Sequence, residues 1–294
     1  MQKSSLSRKI FIGINSLIMV FVACICVLPF VHILFASVSI PSEIRKYEGI
    51  LLWPIGFNIE SYKIIFSKQV MLTGYQNTLF ITTIGTMMSL FLSAIGAYVL
   101  SKRNVYWNRL FMKIVTIPMF ISGGLIPFYL LVNAIGLNGT IWAVMLPYSI
   151  SPWNMLIMRA SFRAIPDSIE ESTRIDGASE LTILTKIVIP LSLPVIAVMI
   201  LFYAIGYWNS WFPASIFIRN RSLYPLQLLM REIVIQGDVL RLGTLAELAE
   251  LGAENYVELM KYSTIMVATL PILFLYPFLQ KYFITGILVG SLKE

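Results

Sequence analysis

The sequence predicts an all-α polytopic membrane protein with six transmembrane helices and both termini on one side. Three observations carry that prediction. Of 294 residues, 57% are hydrophobic and 13% charged, with a mean hydropathy of +0.79, whereas soluble domains carry roughly 25% charged residues. The charges are also segregated, leaving 10–42, 69–101, 114–158, 187–218 and 262–280 free of them. A helix needs about 20 apolar residues to cross a bilayer, so four of these stretches hold one span each and the longest, 114–158, holds two.

The first span is expected over 11–37. Lys3, Arg8 and Lys9 precede it as they would precede a signal peptide, but its uncharged run of 33 residues far exceeds a signal core of about 7–15. It reads as a retained span. Cys24 and Cys26 lie inside it, two residues apart and on different helix faces, and read as small hydrophobes. The single His32 cannot build a metal site alone and reads as a hydrogen-bonded structural residue.

The second span is expected over 74–100. The third and fourth, 109–133 and 139–160, are separated by the turn-forming cluster from Asn133 to Gly139 (Asn-Ala-Ile-Gly-Leu-Asn-Gly). The fifth runs over 183–212 and the sixth over 261–284. An even count puts both termini together with the Lys102/Arg103/Arg109/Lys113 loop and the segment 159–186. These short segments hold more of the 22 basic residues than the long loops 38–73 and 213–260, so the termini are expected to be cytoplasmic.

Basic loops flanking apolar spans account for the net charge of +7. No basic cluster is long enough for a nucleic-acid surface. Prolines 29, 118, 127, 147, 152, 190, 194, 271 and 277 fall inside the spans, either lining a path or forming ordinary kinks. The charges inside these bounds fall at the span ends and none lies in a span's middle, which argues against proton- or ion-coupled transport. No repeat relates the halves, unlike many secondary carriers.

The run from Ser168 to Pro194 is the richest in helix signals. Asp167 or Ser168 is placed to cap a first helix, with Glu170 or Glu171 closing a capping box. Gly177 suits a left-handed helix end, and Ser179 suits the next cap. Leu181, Leu184 and Val188 then form one stripe leading to Pro190. The expectation is a short surface helix rigidly joined to the fifth span. An ordinary amphipathic connector, with Glu170 and Glu171 pairing to Arg174, fits the local signals equally well.

The spacing of Glu171-Ser172-Thr173, Asp176-Gly177-Ala178 and Pro190, between spans four and five, resembles the coupling motif of ABC-importer permeases. The runs Phe202–Phe212, Tyr224–Gln227 and Lys261–Pro271 resemble the carbohydrate branch of that family, the maltose, oligosaccharide and polysaccharide type. One departure is Ser172-Thr173, where the family usually has two alanines. The resemblance implies a type I ABC importer permease fold in one permease domain over 1–294, with a cytoplasmic coupling segment at 161–182 and an extracytoplasmic loop at 213–260. It implies a multi-pass protein of the bacterial cytoplasmic membrane that forms half of the path for an oligosaccharide and catalyses no bond chemistry. The implied partners are a second homologous permease, two cytosolic ABC ATPases and an extracytoplasmic solute-binding protein. Glu170, Glu171, Ser172, Thr173, Asp176, Gly177, Ala178 and Pro190 would face or support the ATPase contact. No Gly-rich phosphate loop ending Gly-Lys-Ser/Thr occurs here, so ATP and Mg would be used by the partner and no cofactor or metal by this chain. A permease for a non-sugar solute, or a membrane receptor or assembly protein without transport, are the alternatives.

Sugars present hydroxyls and apolar CH faces, so a path for them calls for aromatic walls with a few amides or hydroxyls. The candidates are Asn77, Tyr148, Asn154, Tyr203, Tyr207, Trp208 and Asn209. Interfacial anchoring competes for the aromatics, and Trp142 and Trp211 are expected to anchor. Asn77 and Asn209 need polar partners near lipid, either another helix or the cargo. The loop 213–260 is expected to be helical at Leu226–Ile235 and Leu242–Leu251, facing the binding protein or forming a packed cap.

Overall fold

The computed structural model describes residues 6–235 and 257–291, and every regular element among the described residues is a helix. They fall into two compact units, one of Met1–Gln69 with Glu232–Leu270 and one of Val70–Arg231 with Pro271–Glu294. The sequence stretch Leu242–Leu251, expected to be helical, lies outside the described residues.

In the first unit α1 (Leu6–Ser37) is followed by α2 (Pro41–Ile44) and α3 (Glu60–Ser67). α1 is long and apolar enough to cross a bilayer, and its residues 7–27 are all exposed. That surface has no water-soluble rationale and fits contact with lipid or another membrane chain. Its last turns pack Ala36 against Ile44, Leu51 and Leu259. Hydroxyls tie the unit together: Ser61 Oγ to Ser263 Oγ at 2.7 Å and Ser37 Oγ to Tyr62 OH at 2.6 Å. His32 has the structural role expected, its Nδ1 accepting from the Leu51 N–H at 3.0 Å. Cys24 and Cys26 are free and exposed on α1.

The second unit is built on α4 (Gln69–Ser101), a helix of 33 residues without proline and the second one able to span a bilayer alone. Small residues line its packed face. A Cβ on Gly96 would approach Met155 Sδ to 2.5 Å, and one on Gly85 would approach the Tyr207 ring to 2.9 Å. Small residues of this kind let membrane helices approach closely. The core joins Ala94, Ala97, Tyr98 and Leu100 of α4 to Met155, Met158, Phe162, Ile183, Leu184, Val188 and Met199. Gly85→Ala would push the Tyr207 ring away from Ser89, whose hydroxyl it meets at 2.8 Å. Overpacking of this kind costs about 1–3 kcal/mol, so the detergent-solubilised variant is expected to melt at a lower temperature than wild type. An unchanged melting temperature would mean that the ring yields freely.

The stretches expected to form the third to fifth spans are not single helices. The 109–133 stretch is two helices, α5 (Asn108–Phe120) and α6 (Leu125–Ala134), bent by 120°. Gly124 at φ +84° makes the turn, a conformation that favours glycine. The 139–160 stretch is α7 (Trp142–Met145), then a turn through Pro147, then α8 (Pro152–Arg163). The Ser151 hydroxyl caps α8 by accepting from the Asn154 N–H at 3.4 Å. The turn expected at Asn133–Gly139 is present, with Gly136 and Gly139 both at positive φ.

After α9 (Asp167–Ile175), the chain forms α10 (Glu180–Ile183), a π-helical turn over Leu184–Val188, and α11 (Ile189–Leu191). It then bends by 89° at Ser192 into α12 (Leu193–Trp208). The single helix expected at 183–212 is therefore broken by an elbow. Pro190 and Pro194 each lack the N–H that would donate one turn back, and Ser192 sits at φ −105°, ψ 16° between them. α13 (Trp211–Phe217) and α14 (Leu226–Ile235) follow, the latter as expected, and the last helix is α15 (Val257–Ser291).

Candidate functional site

Two places in the second unit collect the candidate residues. One is the charged segment around α9. The capping box expected there does not form: Pro166 is the residue flanking the helix, no side chain caps it, and Glu170 turns to Lys102 instead. Asp167 still favours the helix as a negative charge in its first turn. The C-terminal end matches expectation. Gly177 is left-handed at φ +82°. Its N–H donates to Arg174 O at 3.0 Å, and the Ala178 N–H donates to Thr173 O at 3.2 Å, the paired bonds of a Schellman motif. Ser179 caps the next helix by accepting from the Thr182 N–H at 3.3 Å.

α9 presents two sides. Glu170 points inward, its side chain only 12% exposed, in an ion pair with Lys102, itself 16% exposed. Arg174 bridges Glu180 at 2.7 Å and Glu170 at 3.9 Å. The Tyr98 hydroxyl donates to Glu180 Oε2 at 2.5 Å, and Lys102 Nζ lies 4.0 Å over the Tyr98 ring. Burial pushes the Lys102 ammonium below the usual lysine range, and nearby Arg174 adds to that while Glu180 and Asp167 oppose it. Glu171, Ser172, Asp176, Gly177 and Pro190 are exposed, while Thr173 and Ala178 are half-buried. Ser172 and Thr173 donate their hydroxyls to Ile169 O at 3.0 and 2.7 Å, so both fold back on their own helix. Ile175 is 86% exposed at the end of this mostly polar helix. A cavity of about 690 Å³ lies between the network and the end of α4, lined in part by Tyr98, Lys102, Glu171 and Leu184.

The second place is a cleft of about 300 Å³ beside α12, at the lower end of small-molecule site volumes of about 300–1,000 Å³. It brings together Tyr148, Asn154, Tyr203, Tyr207 and Asn209 of the seven path candidates. Two of the three tyrosine hydroxyls are held. Tyr203 shares a hydrogen bond with Ser93 at 2.6 Å and accepts from the Ser151 N–H at 3.3 Å. Tyr207 meets Ser89 and also donates to Met145 O at 3.2 Å. Asn209 Nδ2 donates to Ile205 O of its own helix at 3.0 Å.

Asn77 and Trp208 lie apart from the cleft. Asn77 Nδ2 donates to Ser222 O at 2.8 Å and Tyr224 O at 3.2 Å, tying α4 to the turn before α14. Trp208 is buried, edge-on to Tyr75. Of the expected anchors, Trp142 is exposed beside Phe80, and Trp211 lies under the Arg231 guanidinium at 4.7 Å.

Sequence reasoning missed three members of these sites. Lys102 read only as the first charge after a span. Ile175 carried no signal apart from its polar neighbours. Ser210 lines the cleft, is buried, and its hydroxyl has no hydrogen-bond partner among the described residues. Nothing in its local sequence distinguishes it.

Residues 85–289 match the family described as binding-protein-dependent transport system inner membrane component. The polygalacturonan/rhamnogalacturonan transport system permease protein YtcP of Bacillus subtilis is 41% identical over 276 residues, covering 92% of this chain and 94% of that protein. Protein LplC of the same organism is 38% identical, covering 97% and 95%. Among solved structures, a bacterial ABC transporter involved in import of the acidic polysaccharide alginate matches with a TM-score of 0.88 and 29% identity, over 96% of this chain and all of that one.

Proposed function

Because the chain belongs to the family of binding-protein-dependent transport system inner membrane components, a family of transport subunits with the type I importer permease fold, we propose that it carries an oligosaccharide across the bacterial cytoplasmic membrane. The observation that carries the cargo class is the cleft beside α12. Its walls combine tyrosine rings with Asn154, Asn209 and the unpartnered Ser210 hydroxyl, and none of its lining residues among those described is charged. Rings suit the apolar faces of a sugar, and amides and hydroxyls suit its hydroxyls. The cargo of YtcP and of the alginate transporter, both named for polysaccharides, supports the same class.

In this reading the chain crosses the membrane six times with both termini in the cytoplasm, two of the spans being the bent pairs α5–α6 and α10–α12. It forms half of the path, and a second homologous permease forms the other half. A solute-binding protein delivers the sugar from outside. The segment 161–182 faces the cytoplasm and seats on one of two ABC ATPase subunits, which hold ATP and Mg. Glu171, Asp176 and Gly177 are on the exposed side of α9 and its turn, and Ile175 offers an apolar knob between them. Closure of the ATPase pair pushes α9, and the elbow at Ser192 turns that push into a tilt of α12.

The test is uptake by cells from which this chain alone has been deleted. Accumulation of labelled oligosaccharides, acidic oligogalacturonides and neutral chains assayed separately, is expected to be lost for at least one class and restored by the intact gene, with amino-acid uptake unaffected. Full retention of both sugar classes would overturn the assignment.

A further inference from the structure

The elbow at Ser192 is a compliant link. It combines a π-helical turn with two prolines inside a short stretch, features that mark helix hinges and kinks. A push on α9 delivered only through it would be partly absorbed by bending. α4 is the opposite kind of element, one continuous helix of 33 residues. Its end is held firmly. Asn108 Nδ2 donates to Lys102 O at 2.6 Å and Arg159 Nε donates to Leu100 O at 2.8 Å, both capping its last carbonyls.

We propose that the half-buried Lys102–Glu170 pair clamps α9 to the end of α4, making α4 a second transmission arm between the segment 161–182 and the cleft. Tyr98 strengthens the clamp through Glu180, which Arg174 links back to α9. Further along α4, near its middle, Ser93 and Ser89 hold the hydroxyls of Tyr203 and Tyr207. With 1.5 Å per helical residue, Ser93 lies about 14 Å along α4 from Lys102. A displacement of α4 along its axis therefore moves the two tyrosines that wall the cleft. Two observations favour a mechanical role over a purely stabilising one. An ion pair drawn partly out of water is weak evidence for net stability, since desolvation offsets much of its attraction. And this pair joins elements 68 residues apart, so it sets how two helices sit together rather than supporting one of them. Lys102 and Glu170 are positioning residues in this scheme.

The proposal rests on α9 being the ATPase contact, and the experiment separates the two. The complete importer is reconstituted in proteoliposomes with its loaded binding protein, and sugar transported is compared with ATP hydrolysed. Lys102→Ala is expected to keep hydrolysis within about twofold of wild type while transport per ATP falls about tenfold, and Lys102→Arg should recover most of the loss. Glu170→Gln should uncouple in the same direction, and the double variant should be no worse than the single ones. Tyr98→Phe and Ser93→Ala keep both helices intact and should uncouple partially, so they decide the matter if Lys102→Ala does not reach the membrane. Normal transport per ATP in these variants, or equal loss of hydrolysis and transport, overturns the second arm. Normal transport in Glu171→Lys would instead overturn the ATPase contact itself.

Discussion

Glu171→Lys is expected to reduce uptake to background while the protein reaches the membrane in normal amount. Glu171 is exposed on α9 and makes no hydrogen bond or ion pair with the described residues. Its replacement therefore costs the fold little, within about 0.5 kcal/mol for such a surface site. Its neighbour Glu170 is the opposite case, half-buried and paired with Lys102, so its replacement acts within the chain rather than at the partner. At a protein interface the arithmetic changes. Removing one member of a desolvated charge pair costs about 2–5 kcal/mol, and reversing it adds repulsion. At 1.4 kcal/mol per tenfold, that is enough to leave the ATPase undocked. Gly177→Asp should act alike for a different reason. A Cβ at Gly177 meets nothing within 4 Å, so the left-handed backbone is the only internal strain, of order 1–3 kcal/mol. The new carboxylate would project from the face offered to the partner. The readouts are uptake, copurification of the ATPase, and hydrolysis stimulated by the loaded binding protein, and all three should fall together. Normal uptake in either variant would remove α9 as the docking element.

The sites were unevenly legible in the sequence. Gly177, Ser179, the Asn133–Gly139 turn and α14 behaved as their local chemistry requires, because a Schellman turn, a hydroxyl cap and an amphipathic stripe are each decided within a few residues. The bends were not legible. A charge-free window measures how much chain can lie in lipid but not its direction, and Pro118 sits inside α5 without breaking it, whereas Pro190 and Pro194 flank an 89° bend. The capping box expected at Asp167 or Ser168 failed because Pro166 set the helix start and a distant lysine claimed Glu170. That lysine is 68 residues away, outside the reach of any spacing rule. Ser210 was missed for the same reason, since its significance lies in facing a cleft that only the packing of α7, α8 and α12 creates.

Gly206→Trp is expected to stop sugar transport while leaving ATP hydrolysis stimulated, the reverse of the pattern at Glu171. Gly206 lies in α12 on the wall of the cleft, exposed, and a Cβ there meets nothing within 4 Å. The helix gains rather than loses by the change, since glycine is about 0.8–1.0 kcal/mol worse than alanine in a helix interior and tryptophan is intermediate. The indole therefore has a place to go that no protein atom occupies, and that place is the cleft of about 300 Å³. Contrast Gly85 and Gly96, where the same substitution would strike Tyr207 or Met155 and damage the core. A series of Gly206→Ala, Gly206→Leu and Gly206→Trp should lower transport in order of side-chain volume, with melting temperature unchanged. Ser210→Ala, which removes a buried hydroxyl that has no partner among the described residues, should weaken apparent sugar affinity without blocking the path. Graded blockage at Gly206 together with an affinity change at Ser210 would mark the cleft as the route. If Gly206→Trp transports normally, the sugar passes elsewhere, and the hydroxyls of Tyr203 and Tyr207 serve only to tie α12 to α4.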